Sequence, residues 1–176
     1  MIYGNKFLLE SSNDISFYEI INTKSNDYCN EICDSLSRKE KKEFGIQGNE
    51  KHIDNNRFKE IKNKILKRIV LIFNNDPVCF IEVYKENRQG KNYGEISIVT
   101  HSKYRSRGYA SILMNKIINW YNEFDIDIES LTYPVDKNNT SSINLAKKFG
   151  FKKMNKSDYY FSKEYYDDFP VYEYKK

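Results

Sequence analysis

The sequence predicts an α/β (α+β) fold in which a mixed, mostly antiparallel sheet is flanked by helices. The middle of the chain contains three strand-like runs separated by short turns, which is typical of an antiparallel meander. A helix, a strand and a second helix follow, and both helices carry apolar residues at a spacing of three or four. The chain has 176 residues and no linker-like stretch, so we expect residues 1–176 to form a single domain.

The first third of the chain is predicted to contribute two strands and three helices. The Ser-x-x-Glu pattern from Ser37 to Glu40 is typical of a capping box, in which the two residues satisfy each other's backbone N–H groups. The predicted elements are strands at 7–9 and 15–21, a helix capped by Ser25, a short helix from the capping box to Gly45, and a helix from about Asn55 to Lys67.

The rest of the chain alternates between strand and helix patterns. Asn75-Asp76-Pro77 is predicted to be the turn between the first two strands of the meander. The predicted elements are strands at 68–74, 78–84 and 93–100, a helix from about Gly108 to Asn122, a strand at 130–135, a helix at 141–149 and a final strand that includes 171–174.

Composition excludes several classes of protein. A net charge of +4 favours an anionic partner but falls short of a nucleic-acid-binding signature, so no nucleic acid is expected. No apolar run approaches the ~20 residues that a membrane helix requires. The first residues lack the pattern of a signal peptide, and we therefore expect a cytoplasmic protein without a membrane partner.

The three cysteines are interpreted as small buried hydrophobic residues. Cys29 and Cys33 have the spacing to share one helix face, which leaves a metal pair conceivable. The two histidines, His52 and His101, do not lie at ligand spacing from them. The sequence therefore predicts no metal site, and Cys79 is also predicted to be buried.

One strand–turn–helix segment has the features of a phosphate-binding loop. A strand ends near Thr100, a helix begins near Gly108, and the connection contains the pattern Arg105-x-x-Gly108-x-Ala110. The first turn of a helix leaves its backbone N–H groups unpaired and carries partial positive charge. Small residues at 108 and 110 would let a diphosphate approach that backbone closely, and arginine adds positive charge.

A second segment strengthens this interpretation. The first segment resembles the Glu-Ile-Gly-x-x-Val-x-Pro-x-Tyr-Arg-Gly-x-Gly-x-Gly segment of the GNAT superfamily of N-acetyltransferases, with Ser102 at the usual proline and Ala110 at the last glycine. The stretch 139–151 resembles the family's Asn-x-x-Ala-Ile-x-Leu-Tyr-x-Lys-x-Gly-Phe segment, with Ser142 in place of the alanine. The matching positions there are Asn139, Ile143, Leu145, Lys148, Gly150 and Phe151. The resemblance covers roughly 68–151.

The resemblance implies a binding site for acetyl-coenzyme A, used as co-substrate, in a cleft between splayed strands that contain Val99 and Tyr133. Main-chain groups of three strand residues would pair with the pantetheine arm, and amides of the following turn would surround the diphosphate. Asn139 would contact the pantetheine or hold the adjacent loop, where the plain alternative is a helix cap. The implied coenzyme-binding residues are Ile98, Val99, Thr100, Arg105, Ser106, Arg107, Gly108, Tyr109, Ala110, Ser111, Asn139 and Ser142.

The catalytic groups are less defined. The resemblance places Glu95 on the central strand, where some members carry a catalytic carboxylate, and a structural glutamate is the alternative. Tyr133, Tyr109 and His101 are further candidates for the base, although a capping role suits His101. Many members have a tyrosine acid where this chain has Ala146. The tail residues Tyr159, Tyr160, Tyr165, Tyr166, Asp167 and Asp168 could line a pocket for a cationic acceptor or form a core and its rim.

Together, these residues predict an N-acetyltransferase that moves an acetyl group from acetyl-coenzyme A directly to a primary amine in a ternary complex. The acceptor is expected to be a small molecule or a peptide, and a homodimer is left open. One alternative is an inactive acyl-coenzyme A-binding sensor or scaffold, which Ala146 favours. Another is a toxin-like acetyltransferase acting on charged transfer RNA, against which the modest net charge argues.

Overall fold

The structure is a computed structural model, and it describes residues 2–3, 6–12, 14–20, 27–43, 65–155, 158 and 168–176. Within these ranges nine strands form one sheet in the order β1-β2-β3-β4-β5-β6-β7-β9-β8. The strands are β1 (Ile2–Tyr3), β2 (Lys6–Ser12), β3 (Ile15–Ile20), β4 (Ile65–Phe73), β5 (Asp76–Arg88), β6 (Lys91–Thr100), β7 (Ser130–Pro134), β8 (Lys152–Lys153) and β9 (Val171–Tyr174).

Four helices and one 3-10 turn accompany the sheet in the described part of the chain. They are α1 (Asp27–Asp34), α2 (Arg38–Glu43), a 3-10 turn (Ser102–Tyr104), α3 (Tyr109–Glu123) and α4 (Thr140–Lys148). None of the helices in the described ranges is long and apolar enough to span a bilayer. The predicted fold, a mixed and mostly antiparallel sheet flanked by helices, is confirmed.

One junction in the sheet is parallel. β6 and β7 pair in parallel over three rungs, Tyr93 with Ser130, Gly94 with Leu131, and Glu95 with Thr132. All other strand pairs are antiparallel. Beyond the third rung, β6 still pairs with β5 as far as Thr100 but has no registered partner on β7 in the described residues. β6 and β7 therefore separate there. We call the last rung, Glu95 with Thr132, the vertex of the cleft.

The two faces of the sheet carry separate apolar clusters because successive side chains of a strand point to opposite faces. On β4, Ile69 and Leu71 belong to the cluster beneath α3, whereas Val70 and Ile72 belong to the cluster beneath α1. Helix α3 begins to pack at Tyr109 and places every third or fourth residue on the sheet. Its buried residues are Tyr109, Leu113, Met114, Ile117, Ile118 and Tyr121.

Two local predictions are wrong. The helix predicted from Asn55 to Lys67 falls mostly outside the described residues, but Ile65–Lys67 are the start of β4, where Ile65 pairs with Tyr84. A β-branched and apolar run that can join a ladder favours the strand there. The turn predicted at 75–77 is formed by Asn74 and Asn75, with φ of 50° and 66°, because asparagine tolerates the left-handed region that a tight hairpin requires.

Gly94 lies on β6 where three apolar side chains meet. A Cβ atom at this position would come within 2.7 Å of Ile128 Cδ1, 3.0 Å of Leu131 Cδ2 and 3.0 Å of Val83 Cγ1. Contacts below 3.0 Å require the surroundings to move, and packed interiors yield little. The absence of a side chain at 94 therefore sets the spacing between the sheet and the chain at 128.

We expect Gly94→Ala to lower the free energy of unfolding by about 1–3 kcal/mol, because it overfills this packed position. Denaturant titration measures the change. The double variant Gly94→Ala with Ile128→Val removes the Cδ1 atom that is approached most closely and should recover part of the loss. A Gly94→Ala protein as stable as the unaltered protein would contradict this account of the packing.

The three thiols lie in the core, as predicted. Burial raises the pKa of Cys33 and of Cys79 to about 12 and raises that of Cys29 well above its usual value. The thiolate is the reactive form, and at pH 8 a thiol of pKa 12 is ionised in about one molecule in ten thousand. Among the described residues, no group of three or more His, Cys, Asp or Glu could hold a metal ion.

We therefore expect the thiols to react with a disulfide reagent at pH 8 only after unfolding, at a rate limited by opening of the core. Counting reactive thiols with and without denaturant measures this, and three should be titrated in the unfolded chain. A thiol that reacts at the rate of free cysteine in native buffer would show that the α1 cluster opens readily.

Candidate active site

The connection between β6 and α3 forms a turn with two left-handed residues. Ser106 has φ of 60° and Gly108, the N-cap of α3, has φ of 86°. Apart from the neighbouring residues 107 and 109, no atom of the described residues lies within 4 Å of a Cβ built at Gly108, so the described structure leaves space outside this backbone. The N–H groups of the first turn of α3 have no partner within the helix. Such a turn can bind a diphosphate through main-chain amides and the positive end of the helix.

Aromatic packing fixes this turn to the sheet. Tyr104 is buried, donates a hydrogen bond from its hydroxyl to Asp76 and meets the ring of Tyr109 at a centroid distance of 6.5 Å. The guanidinium of Arg107 lies over the same Tyr104 ring at 5.4 Å. Tyr109 thus points its side chain into the core, and only its backbone faces the open side of the turn. His101 caps the 3-10 turn by accepting from Lys103 N at 3.2 Å, in agreement with the capping role considered for it.

Ile98, Val99 and Thr100 lie on β6 beyond the vertex. Their strand partners are on β5, where Thr100 is opposite Cys79 and Val99 is opposite Phe80. The Thr100 hydroxyl is 3.2 Å from Cys79 Sγ. Along these three residues, the β6 edge that pairs with β7 at Glu95 has no registered partner in the described residues. A ligand with amide groups can add to such an edge as an extra strand.

The start of α4 lies on the other side of the cleft. Asn139 is the N-cap of this helix, and its Oδ1 accepts from Ser142 N at 3.0 Å. Ser142 also forms a side-chain hydrogen bond with Tyr133, the first residue of β7 beyond the vertex. Tyr133 is 4% exposed, and burial raises its pKa to about 12 despite this hydrogen bond. Its phenol is therefore protonated at neutral pH and can donate a hydrogen bond but cannot serve as a base.

Helix α4 also reaches the turn before α3 through a residue that was not predicted to belong to the site. Lys148 Nζ donates to Ser111 Oγ at 3.3 Å, which adds a lysine from α4 to the cations around the first turn of α3. The sequence signal was present, because Lys148 is one of the matching positions in the second segment. The contact itself could not be predicted, because Lys148 and Ser111 are 37 residues apart in sequence.

The vertex is polar on the face that α1 covers. Glu95 and Thr132 are directly opposite each other, so their side chains emerge on the same face. The Glu95 side chain is 26% exposed and pairs with Arg88 at 2.5 Å. Thr132 is fully buried, and its Oγ1 has no hydrogen-bond partner among the described residues. A buried hydroxyl of this kind is uncommon in native proteins and marks a position where a bound molecule could supply the partner.

A buried ion pair extends this polar face across the sheet. Arg68 on β4 pairs with Glu82 on β5, and the two side chains are 3% and 0% exposed. The Tyr84 hydroxyl donates a hydrogen bond to the same Glu82 carboxylate. Buried charges persist only when they are paired and hydrogen-bonded, which this triad achieves. This triad was not predicted, because a charged residue inside a strand pattern does not reveal its partner.

The turn before α3 also contacts the corner between α1 and α2. Arg105 Nη1 pairs with Glu40 Oε1 at 2.5 Å, and Ser102 N donates to Ser35 Oγ at 3.0 Å. Glu40 is the capping-box residue, and the predicted reciprocal hydrogen bonds with Ser37 are present. No sequence signal predicted either contact between these distant segments.

The tyrosine-rich tail is described only in part. Tyr159, Tyr160, Tyr165, Tyr166 and Asp167 lie outside the described residues. Asp168 is exposed and pairs with Lys137 at 2.5 Å, beside the backbone hydrogen bond from Lys137 N to Asp168 O. This pair fastens the chain before β9 to the loop between β7 and α4.

Comparison with known proteins agrees with this geometry. The model of the acetyltransferase (GNAT) family matches residues 30–151, well over half of the chain. The chain is similar to the GNAT domain of PAT from Streptomyces lividans, with a TM-score of 0.70, 12% identity, and coverage of 92% of this chain and 90% of that one. No curated protein sequence matches the chain.

Two further solved structures share the fold. Naa50 from Arabidopsis thaliana, in complex with the bisubstrate analogue CoA-Ac-MVNAL, has a TM-score of 0.62 and 17% identity over 93% of this chain and all of that one. A GNAT-family acetyltransferase from Staphylococcus aureus Mu50 has a TM-score of 0.63 and 19% identity over 92% of this chain and 98% of that one. The family match and the shared fold show that this chain belongs to the acetyltransferase (GNAT) family, whose activity is acetyl-coenzyme A-dependent acetyl transfer.

Proposed function

We propose that the protein is an N-acetyltransferase that transfers an acetyl group from acetyl-coenzyme A directly to a primary amine in a ternary complex. The observation that carries the proposal is the short parallel junction between β6 and β7, which ends at the vertex and leaves β6 without a registered partner on β7 from there to Thr100, ahead of the left-handed turn before α3. A strand edge for an amide-bearing arm and a helix terminus for a diphosphate thus lie along one cleft. The bisubstrate analogue bound to Naa50 joins coenzyme A to a peptide, which supports an amine acceptor here.

The coenzyme would lie along β6 and end at α3. Its pantetheine amides would pair with the β6 edge at Ile98–Thr100, and its diphosphate would meet the amides of residues 106–111. Arg105, Arg107 and Lys148 supply positive charge around that turn. Asn139 and Ser142 would border the pantetheine at the start of α4, where Asn139 already holds the loop by capping the helix.

The acceptor amine would approach the vertex from the α1 face. Its ammonium must lose a proton before the nitrogen attacks the thioester carbonyl. A C–N bond then forms, the C–S bond breaks with the electron pair leaving on sulfur, and the nitrogen gives up a second proton, which goes to the departing thiolate or to water. Glu95 is assigned as the base because it is the carboxylate at the vertex and is partly exposed. The unpartnered Thr132 hydroxyl beside it would orient the amine or a water between the two.

Departure of the coenzyme thiolate needs little help. A thiol of pKa near 8.5 leaves tolerably without full protonation. Tyr133 lies one residue past the vertex, and its protonated phenol would donate a hydrogen bond to the sulfur rather than transfer its proton. Backbone N–H groups near Val99 would stabilise the oxyanion that develops on the carbonyl.

A second candidate function is a non-catalytic acyl-coenzyme A-binding module. Ala146 favours it, because this position is fully buried and gives α4 no hydroxyl for the leaving sulfur. Calorimetry with acetyl-coenzyme A, followed by incubation with a panel of small amines and peptides, separates the two. Binding with transfer supports the enzyme, binding without transfer to any acceptor supports the module, and no binding contradicts both.

We expect Gly108→Val to weaken coenzyme A binding at least about tenfold. A β-branched residue cannot adopt φ of 86° without strain, and its side chain would stand in front of the first-turn amides. Gly90→Val is the matched control, because Gly90 has φ of 78°, equally open surroundings and a place in the hairpin at the other end of β6. Calorimetry should show unchanged affinity for the control. Equal affinity in both variants would remove the turn from the proposed site.

We expect Glu95→Gln to lower kcat by about a hundredfold or more, because glutamine cannot accept the ammonium proton. Its amide oxygen can still accept from Arg88, so the coenzyme A Kd and the melting temperature should change little. Glu86→Gln on the neighbouring strand is the control for charge. Steady-state kinetics with the acceptor found in the panel would reject Glu95 as the base if both variants retained full kcat.

A further inference from the structure

Within the described residues, the corner between α1 and α2 is joined by two contacts of different kinds to residues 102–108 before α3, which we call the coenzyme loop. One is the hydrogen bond from Ser102 N to Ser35 Oγ, in which both groups are neutral. The other is the ion pair between Arg105 and Glu40, whose side chains are 44% and 27% exposed. Only the second contact uses a charged group, which a bound diphosphate would attract strongly.

Glu40 keeps separate partners on its two oxygens. Oε2 accepts from Ser37 N at 2.8 Å and from Ser37 Oγ at 2.6 Å, whereas Oε1 faces Arg105. Hydrogen bonds from Ser37 and then from Arg105 lower the pKa of Glu40 to about 2, so this carboxylate is ionised at physiological pH. Loss of Arg105 would leave Oε2 in the capping box and Oε1 able to reach water. If Arg105 leaves Glu40 for another anion, the Glu40 carboxylate is therefore not left buried without a partner.

A diphosphate at the turn before α3 would compete for Arg105. It carries more charge than a carboxylate, sits at the positive end of α3 and offers oxygens to the planar guanidinium. The same diphosphate would repel the Glu40 carboxylate. Because an exposed ion pair contributes little to stability, the coenzyme can overcome it with a small part of its binding energy.

We propose that Glu40 is a positioning residue that couples coenzyme binding to helix α2: the diphosphate takes Arg105 from Glu40 and so releases α2 from the coenzyme loop. Helix α1 packs against β5 and β6 on the face that carries Glu95, and α2 follows it directly. Release therefore changes the acceptor side of the sheet once the coenzyme is in place. The inference rests on the proposed function, because it requires the coenzyme at this turn.

Glu40→Gln tests the competition. Glutamine serves the capping box as glutamate does, so α2 is retained while the ion pair is lost. We expect the coenzyme A Kd to fall about two- to fivefold, the range that corresponds to an exposed ion pair. Glu31→Gln, an equal charge change on the exposed side of α1, should leave the Kd unchanged. In an Arg105→Ala background, Glu40→Gln should lower the Kd less than it does in the unaltered protein, because the competition for Arg105 is gone and only the repulsion of the diphosphate is relieved.

Amide hydrogen exchange over residues 37–43 tests the release. Coenzyme A should accelerate exchange of α2 in the unaltered protein, whereas in Glu40→Gln the exchange should already be fast and coenzyme A should not change it. A Glu40→Gln protein that binds coenzyme A less tightly, or equally tightly, overturns the inference and leaves the proposed function standing. An unaltered protein that binds no coenzyme A overturns the proposed function and this inference with it.

Discussion

The candidate site depends on where the parallel pairing of β6 and β7 ends. Three rungs hold the strands together, and beyond Glu95 and Thr132 each strand continues with a different neighbour, β5 on one side and β9 on the other. A fourth rung would close the edge of β6 at the residues proposed to receive the pantetheine. Because backbone N–H and C=O groups along a sheet edge need partners, this open edge is available to pair with a ligand.

The packing around β6 explains how the strands can part without loss of the fold. Gly94, on the second rung, lets Ile128, Leu131 and Val83 meet over the strand, and this anchors β7 just before it diverges. Beyond the vertex, Tyr133 packs against Phe151 and forms a side-chain hydrogen bond with Ser142. Helix α4 thus replaces β6 as the support of β7, and the cleft acquires one wall from a strand and one from a helix.

The sequence predicted those parts of the fold and the site that depend on local pattern. The meander, the helix after Gly108 and the cap at Asn139 each follow from residues within a few positions of one another. The extension of β4 back to Ile65 could not be predicted, because it depends on pairing with Tyr84, whereas the local pattern also suits a helix. The ion pairs Arg68–Glu82 and Arg105–Glu40 were not predicted for the same reason, because the sequence around a charged residue does not indicate its distant partner.

The two faces of the sheet divide the proposed chemistry. The α3 face carries the larger apolar cluster, and Arg105, Arg107 and Lys148 lie around the turn before α3, which suits a large anionic coenzyme. The α1 face carries the Arg68–Glu82 pair, Glu95 with Arg88, and the Thr132 hydroxyl, so charged groups alternate in sign there. Under the proposed function, a polar surface with balanced charges would stabilise the amine while it loses its proton, without binding the ammonium form so tightly that the proton is retained. The unlike faces therefore fit two substrates that meet only at the vertex, which is what direct transfer in a ternary complex requires.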